Sequence, residues 1–154
     1  MLGVLTETQI DELVTRQVTG RLGCVADGKA YIVPINYFYK NSTIYAHSAP
    51  GKKIEMMRKN PEVCFQVDDI TSILFRWQSA ILWGTYEEIT DPEKKHQAMQ
   101  GITHRLMPLA TTPTGHPSHG ITSNESDLRT KIELIVYQIK ISEKTGKFEF
   151  SDGV

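Results

Sequence analysis

Asp27-Gly28, followed by Lys29-Ala30-Tyr31-Ile32-Val33-Pro34-Ile35-Asn36-Tyr37-Phe38-Tyr39, is the stretch on which the fold turns. Asp-Gly between two β-compatible runs is a strong hairpin signal, because both residues tolerate the positive φ that a two-residue turn requires. Before it stands Arg21-Leu22-Gly23-Cys24-Val25-Ala26, short and β-compatible. After it, Ala30 to Tyr39 is rich in β-branched and aromatic residues, which pack well on a pleated surface. Pro34 in the middle has no N–H for a ladder, so this strand must carry a bulge or an open edge there. Lys40-Asn41-Ser42 makes the next turn, and Thr43 to His47 is a third strand.

Working outward, Thr6 to Gln17 reads as a helix. Thr6 and Gln9 have the spacing of a capping box, and Ile10, Leu13, Val14 and Gln17 fall near one face. Gly20 is expected to end this element. Beyond the third strand, Ser48-Ala49-Pro50-Gly51 is a tight loop. Lys52 to Lys59 is helical, with Ile54, Met56 and Met57 on its apolar side, and Asn60-Pro61 stops it. Glu62 to Asp68 is a fourth strand. Ser72 to Thr90 holds a fifth strand or a strand pair, with Ile81, Leu82, Trp83 and Tyr86 apolar. Asp91-Pro92 begins a helix that runs to about Leu106. Lys131 to Ser142 alternates as a sixth strand. About six strands, with turns roughly ten residues apart, suggest an antiparallel barrel with a few peripheral helices. Met107 to Asp127 lacks periodicity and is rich in Pro, Gly, Ser and Thr. It is taken as a flexible loop, at about 107–128, within a single domain spanning 1–154.

Composition sets the outer bounds. A chain of 154 residues with 40% hydrophobic content has one domain's worth of core and is neither disordered nor fibrous. Seventeen Lys and Arg against eighteen Asp and Glu leave a formal charge of −1, so no long-range field draws in nucleic acid or an acidic membrane. Neither is expected as a partner. Cys24 and Cys64 sit among apolar neighbours and read as inert strand residues. Two thiols make no disulfide framework and no zinc finger. No metal site is expected, since His104, His116 and His119 have no carboxylate at ligand spacing. The N-terminal residues show no basic region followed by an apolar stretch, and a reduced, cytoplasmic setting is expected.

The stretch most informative about chemistry is Tyr45-Ala46-His47-Ser48-Ala49-Pro50-Gly51-Lys52-Lys53. It is a strand end, a small-residue loop and a helix start with two lysines on the first turn. A helix N-terminus has free N–H groups and a positive dipole end, and it takes phosphate readily. Gly51 lets the backbone come close, and Lys52 and Lys53 neutralise charge. The alternative is a plain loop with two solvated lysines.

In this order the motifs are similar to those of a known family. The N-terminal helix, the run from Gly20 to Ala26, the Asp27-Gly28 turn, Tyr31 to Tyr37, Ile44 to Ala49, Gly51 to Ile54, Asn60 to Phe65 and Trp77 to Gly84 follow its sequence. The chain resembles the flavin-binding split-barrel family, also called the pyridoxamine-phosphate-oxidase-like family. Within it, the 5-nitroimidazole reductase branch is the nearest look. The resemblance implies a six-stranded split barrel that dimerises with FMN at the subunit interface, FAD being the alternative. It places Val33, Pro34, Ile35 and Asn36 along the flavin ring, which would account for a proline in a strand. His47, Ser48 and Ala49 flank the ring and ribityl chain. Gly51, Lys52 and Lys53 hold the phosphate, and Ser79 donates a hydrogen bond from the long fifth strand. It implies a catalytic His47 that passes a proton to a reduced acceptor, against the simpler reading of a histidine packed on the cofactor. Trp77 and Trp83 suit the core or a dimer interface, or else stack on the flavin.

The implied activity is an FMN-dependent reductase. A nicotinamide or other donor supplies electrons, and a small molecule, such as a nitroaromatic, accepts them. The alternative is a non-catalytic flavin- or haem-binding module. The chain departs from the family in a shorter loop before Gly51 and in the loop after residue 107. Its tail, Lys144 to Phe150, is too short to add basic segments for the phosphate of pyridoxamine phosphate.

Overall fold

All strand pairs run antiparallel, and the order of the strands joins the two ends of one sheet. The computed structural model describes residues 1–70, 75–109 and 133–151. The elements are β1 (Leu2–Val4), α1 (Glu7–Arg16), β2 (Thr19–Ala26), β3 (Lys29–Asn36), β4 (Phe38–Lys40) and β5 (Thr43–Ser48). They continue with α2 (Lys52–Lys59), β6 (Glu62–Ile70), β7 (Arg76–Glu88), α3 (Pro92–Leu106), a 3-10 turn at Met107–Leu109, and β8 (Ile135–Phe150). Residues 72–74 of the expected fifth strand, 131–132 of the sixth, and residues 110–128 of the expected loop with His116 and His119 lie outside the described residues.

The sheet order is β3-β2-β6-β7-β8-β5-β4, with β1 added on β8. The end strands β3 and β4 are separated only by Tyr37, so the chain itself links the two ends and the path closes into a barrel. Tyr37 is the hinge of that link. Its N–H donates to the Val18 carbonyl at 3.1 Å, its hydroxyl donates to the Val14 carbonyl, and its buried ring meets Phe65 edge-on at 5.0 Å.

Among the described residues the sheet has eight strands, not six. One addition is β1, three residues too short to show periodicity. The other arises because the expected strand from Ala30 to Tyr39 is broken at Tyr37, where one half pairs with β2 and the other with β5. The last strand also runs past Ser142 to Phe150. Trp83 pairs with Glu143 and Gly84 with Ile141, so Ser142 is an extra, bulged residue that interrupts the apolar alternation. Its hydroxyl donates to the Trp83 carbonyl at 3.2 Å.

The helix starts match their signals. Gln9 N–H donates to Thr6 Oγ1 at 3.2 Å, and Thr6 N–H donates to Gln9 Oε1 at 2.9 Å. Asp91 Oδ2 accepts from Lys94 N–H at 3.0 Å. Asp27 and Gly28 adopt φ of 52° and 73°, and Asn41 and Ser42 repeat this turn between β4 and β5. Gly20 does not terminate the first helix, which ends before β2. It lies inside β2, where a Cβ would stand 2.2 Å from the Phe65 ring. Glycine is there to admit the ring.

Leu22, Ile44, Phe65, Val67, Leu82, Tyr137 and Ile139 fill the interior, and Ile10, Leu13 and Val14 of α1 join the same core. Each large apolar side chain buried there contributes about 1.5–3 kcal/mol. Ile54 and Met57 pin α2 to this core, while Ala98 of α3 packs with Ile89 and Val136 in a satellite cluster. Both cysteines are free, and burial pushes the Cys24 thiol up. Among the described residues, no helix is long and apolar enough to cross a membrane.

Candidate functional site

The open edge of β3, the end of β5 and the first turn of α2 border one cavity of about 520 Å³. Strand β3 contributes Val33, Pro34, Ile35 and Asn36 to its wall. It pairs on one side only and in unbroken register, so Pro34 is an edge proline rather than a bulge proline. The end of β5 and its loop bring His47, Ser48 and Ala49, and the start of α2 brings Gly51, Lys52 and Lys53. Ten of the eleven expected site residues therefore share one cavity. Ser79 does not line it. Ser79 stands on the outer face of β7, where its hydroxyl accepts from Gln66 Nε2 at 3.2 Å beside an Arg21–Asp68 ion pair.

The cavity has a cationic end and an apolar wall. The N-termini of α1 and α3 are capped by side chains, but α2 starts at Gly51 with no side-chain cap. A Cβ built on Gly51 would touch nothing, so the approach to the backbone there is open. Lys52 Nζ lies 5.6 Å from the centre of the Tyr31 ring. Lys53 is half-buried, and burial pushes its ammonium pKa down. No carboxylate among the described residues pairs with either lysine. A half-buried ammonium without a counter-charge is a position that an anionic ligand would stabilise.

The polar groups around this end are held in place. Thr19 Oγ1 donates to Asn36 Oδ1 at 2.8 Å, which leaves the Asn36 amide N–H groups for a ligand. Ser48 is buried and donates to the Ala49 carbonyl at 2.7 Å, bracing the loop before Gly51. His47 is half-buried opposite Val136, with its Nδ1 shielded from solvent.

Thr19, Tyr31, Pro50 and Leu106 also line the cavity and were not singled out from sequence. Leu106 comes from the far end of α3, and only tertiary packing brings it there. Trp77 donates to Glu149 at 3.0 Å, Trp83 lies on the outer face, and neither borders the cavity. Among the described residues, no group of three or more His, Cys, Asp or Glu side chains is placed to hold a metal ion.

A family model described as pyridoxamine 5'-phosphate oxidase matches residues 6–148. The chain belongs to this family. The fold agrees with that membership, since the family resemblance carries a split barrel and the chain closes into one. An FAD-binding protein of Mesorhizobium loti is 29% identical, with a TM-score of 0.77 and 98% of each chain covered. A putative 5-nitroimidazole antibiotic resistance protein of Bacteroides thetaiotaomicron is 25% identical, with a TM-score of 0.74 over 96% of this chain and 87% of that one. An uncharacterised protein of Rhizobium meliloti is 27% identical over 94% of this chain and 93% of its own length. Membership in the pyridoxamine 5'-phosphate oxidase family makes a flavin the cofactor to test against this cavity. Its size, its apolar strand edge and its unpaired lysines fit one.

Proposed function

We propose that the protein is a flavin-dependent reductase that holds FMN in the cavity between β3, β5 and α2. The observation that carries this reading is the pair of lysines, without carboxylate partners, at an uncapped helix start on the rim of an apolar cavity. Lys53, Lys52 and the first N–H groups of α2 would take the phosphate. Val33, Pro34, Ile35 and Asn36 would lie along the ring, where an edge strand offers backbone groups without competition from a neighbour. The rim at Pro50 and Gly51 is exposed, so FAD is the alternative, supported by the FAD-binding Mesorhizobium loti relative.

Flavin held here by Lys52, Lys53 and the β3 edge would supply hydride and electron transfer between a donor such as a nicotinamide and a second substrate. His47 would hold a proton at the cavity wall and deliver it to the reduced acceptor. Nitroaromatics are a candidate acceptor class, supported by the Bacteroides relative. Pyridoxamine phosphate is disfavoured as substrate. The amine of Lys144 in the tail is spent on Asp11 at 2.9 Å and Ser42 at 2.7 Å, and β8 carries the tail away into the sheet.

The reading includes a homodimer and a reduced, cytoplasmic setting, the latter supported by two free thiols. For the dimer, strand register puts Ile32, Gly23, Cys64 and Trp83 in one row on the outer face, and Pro34, Arg21, Gln66 and Ile81 in the next. Ile32 is 71% exposed, and Val25, Ile81 and Trp83 are exposed beside it. Pro34 belongs both to this face and to the cavity wall, so a second copy seated here would border the cavity. Ser79 shares the face and would act at the flavin only across such a contact.

The second reading is a flavin-binding module that does not turn over, favoured by a relative described by what it binds. Anaerobic addition of NADH or NADPH to the flavin-loaded protein separates the two. Bleaching of the visible flavin bands, restored by an acceptor, supports the reductase. Bands that persist with both donors support the binding module.

A further inference from the structure

A second cavity, of about 510 Å³, opens on the outer side of the barrel between the first half of α3 and strands β4, β5 and β8. We propose that it is a binding site for a small aromatic anion, such as an aromatic carboxylate, separate from the flavin cavity. Its volume lies in the range of small-molecule sites. The rings of Phe38 and Tyr45 line it side by side, with centroids 5.9 Å apart and planes inclined by 31°. They offer a flat ligand an aromatic surface, and the buried Ile89 and Ala98 add apolar wall.

The charges decide the sign of the ligand. Three lysines and three carboxylates line the cavity, which by count is neutral. The carboxylates are already engaged. Glu87 pairs with Lys140 at 3.2 Å, Glu88 accepts from Arg58 and from the Tyr86 hydroxyl, and Asp91 caps α3 through the Lys94 N–H. The amines of Lys40 and Lys94 have no ion-pair partner among the described residues. Asp91 keeps its charge while it caps the helix, so the two ammonium groups leave one net positive charge beside the aromatic surface, which suits a flat body with one anionic group.

The site adjoins the first cavity without sharing a lining residue with it. Tyr45 and His47 occupy the same face of β5. Ala98 and Leu106 belong to the buried stripe of α3, one bordering each cavity. An occupant would therefore rest on the strand and the helix that also wall the flavin cavity.

Isothermal titration of 1-naphthoate into the 154-residue chain, with FMN in excess, tests the proposal. The expected result is saturable binding at one site per chain, with Kd below about 1 mM. The Lys40→Glu/Lys94→Glu double variant should bind at least about tenfold more weakly, and so should the neutral analogue 1-naphthalenemethanol against the parent. Both lysines are exposed, so the double variant keeps its fold, which circular dichroism checks. Absence of saturable heat, equal binding to parent and double variant, or equal binding of the neutral analogue each overturns the proposal.

Discussion

Replacing Lys53 with methionine should have two effects of opposite sign. Lys53 stands half-buried on the first turn of α2, and burial lowers its pKa from an ordinary value of 10.5. The unfolded chain therefore holds this proton more tightly than the folded one. The charge opposes folding below the folded pKa, and that opposition fades as pH rises toward 10.5. Methionine keeps most of the stem and removes the charge. The flavin-free variant should melt at a higher temperature than the parent at pH 7, and the gap should shrink as pH rises toward 10.5. Flavin affinity should move the other way. A charge-assisted contact from a partly desolvated ammonium to phosphate is worth about 1.5–3 kcal/mol, so FMN should bind roughly 10- to 150-fold more weakly. Lys52 is more exposed, and a solvated contact of about 0.2–1 kcal/mol predicts a loss of no more than roughly fivefold for Lys52→Ala. Quenching of flavin fluorescence on titration gives the affinities, and thermal melts followed by circular dichroism across pH give the stabilities. Unchanged FMN affinity in Lys53→Met would rule out Lys53 as a phosphate contact, and a flavin-free variant less stable than the parent would rule out the cost of its buried charge.

Three further predictions concern other parts of the molecule. His47→Ala should slow reoxidation of the flavin by acceptor about 100- to 10,000-fold while donor-driven reduction changes far less; stopped-flow absorbance that finds reoxidation unaltered reduces His47 to a wall residue. Gly20→Ala puts a methyl group where the buried Phe65 ring lies 2.2 Å away, so urea unfolding should show a loss of about 1–3 kcal/mol. Ile32→Glu adds a charge to the apolar outer face, so sedimentation should show about twice the monomer mass for the parent and the monomer mass for the variant; a monomeric parent that retains flavin would count against the dimer.

The elements legible in sequence were those whose signals are local. The capping box at Thr6, the Asp27-Gly28 turn and the Asp91-Pro92 start need only neighbouring residues, and each stands where its chemistry puts it. The grouping of Val33–Asn36 with His47–Lys53 came from the order of family motifs, and the strand path brings these two stretches to one cavity. What escaped were features set by distant contacts. Gly20 looks like a helix stop until Phe65 is packed on it. Tyr37 looks like one more strand aromatic until its hydroxyl is taken by Val14 in the last turn of α1 and its N–H by Val18 just after that helix, which breaks the strand in two. The bulge at Ser142 hides the second half of β8 because the alternation slips by one residue. Leu106 carries no motif at all, and it joins the cavity only through the docking of α3.

A crystal structure of the protein with FMN decides whether the cavity between β3, β5 and α2 is the flavin site. The phosphate should lie at the start of α2, within hydrogen-bond reach of Lys53 Nζ and the first N–H groups of the helix, with the ring along Val33 to Asn36 and beside His47. A phosphate bound elsewhere, or a flavin seated under α3 against Phe38 and Tyr45, would contradict that assignment.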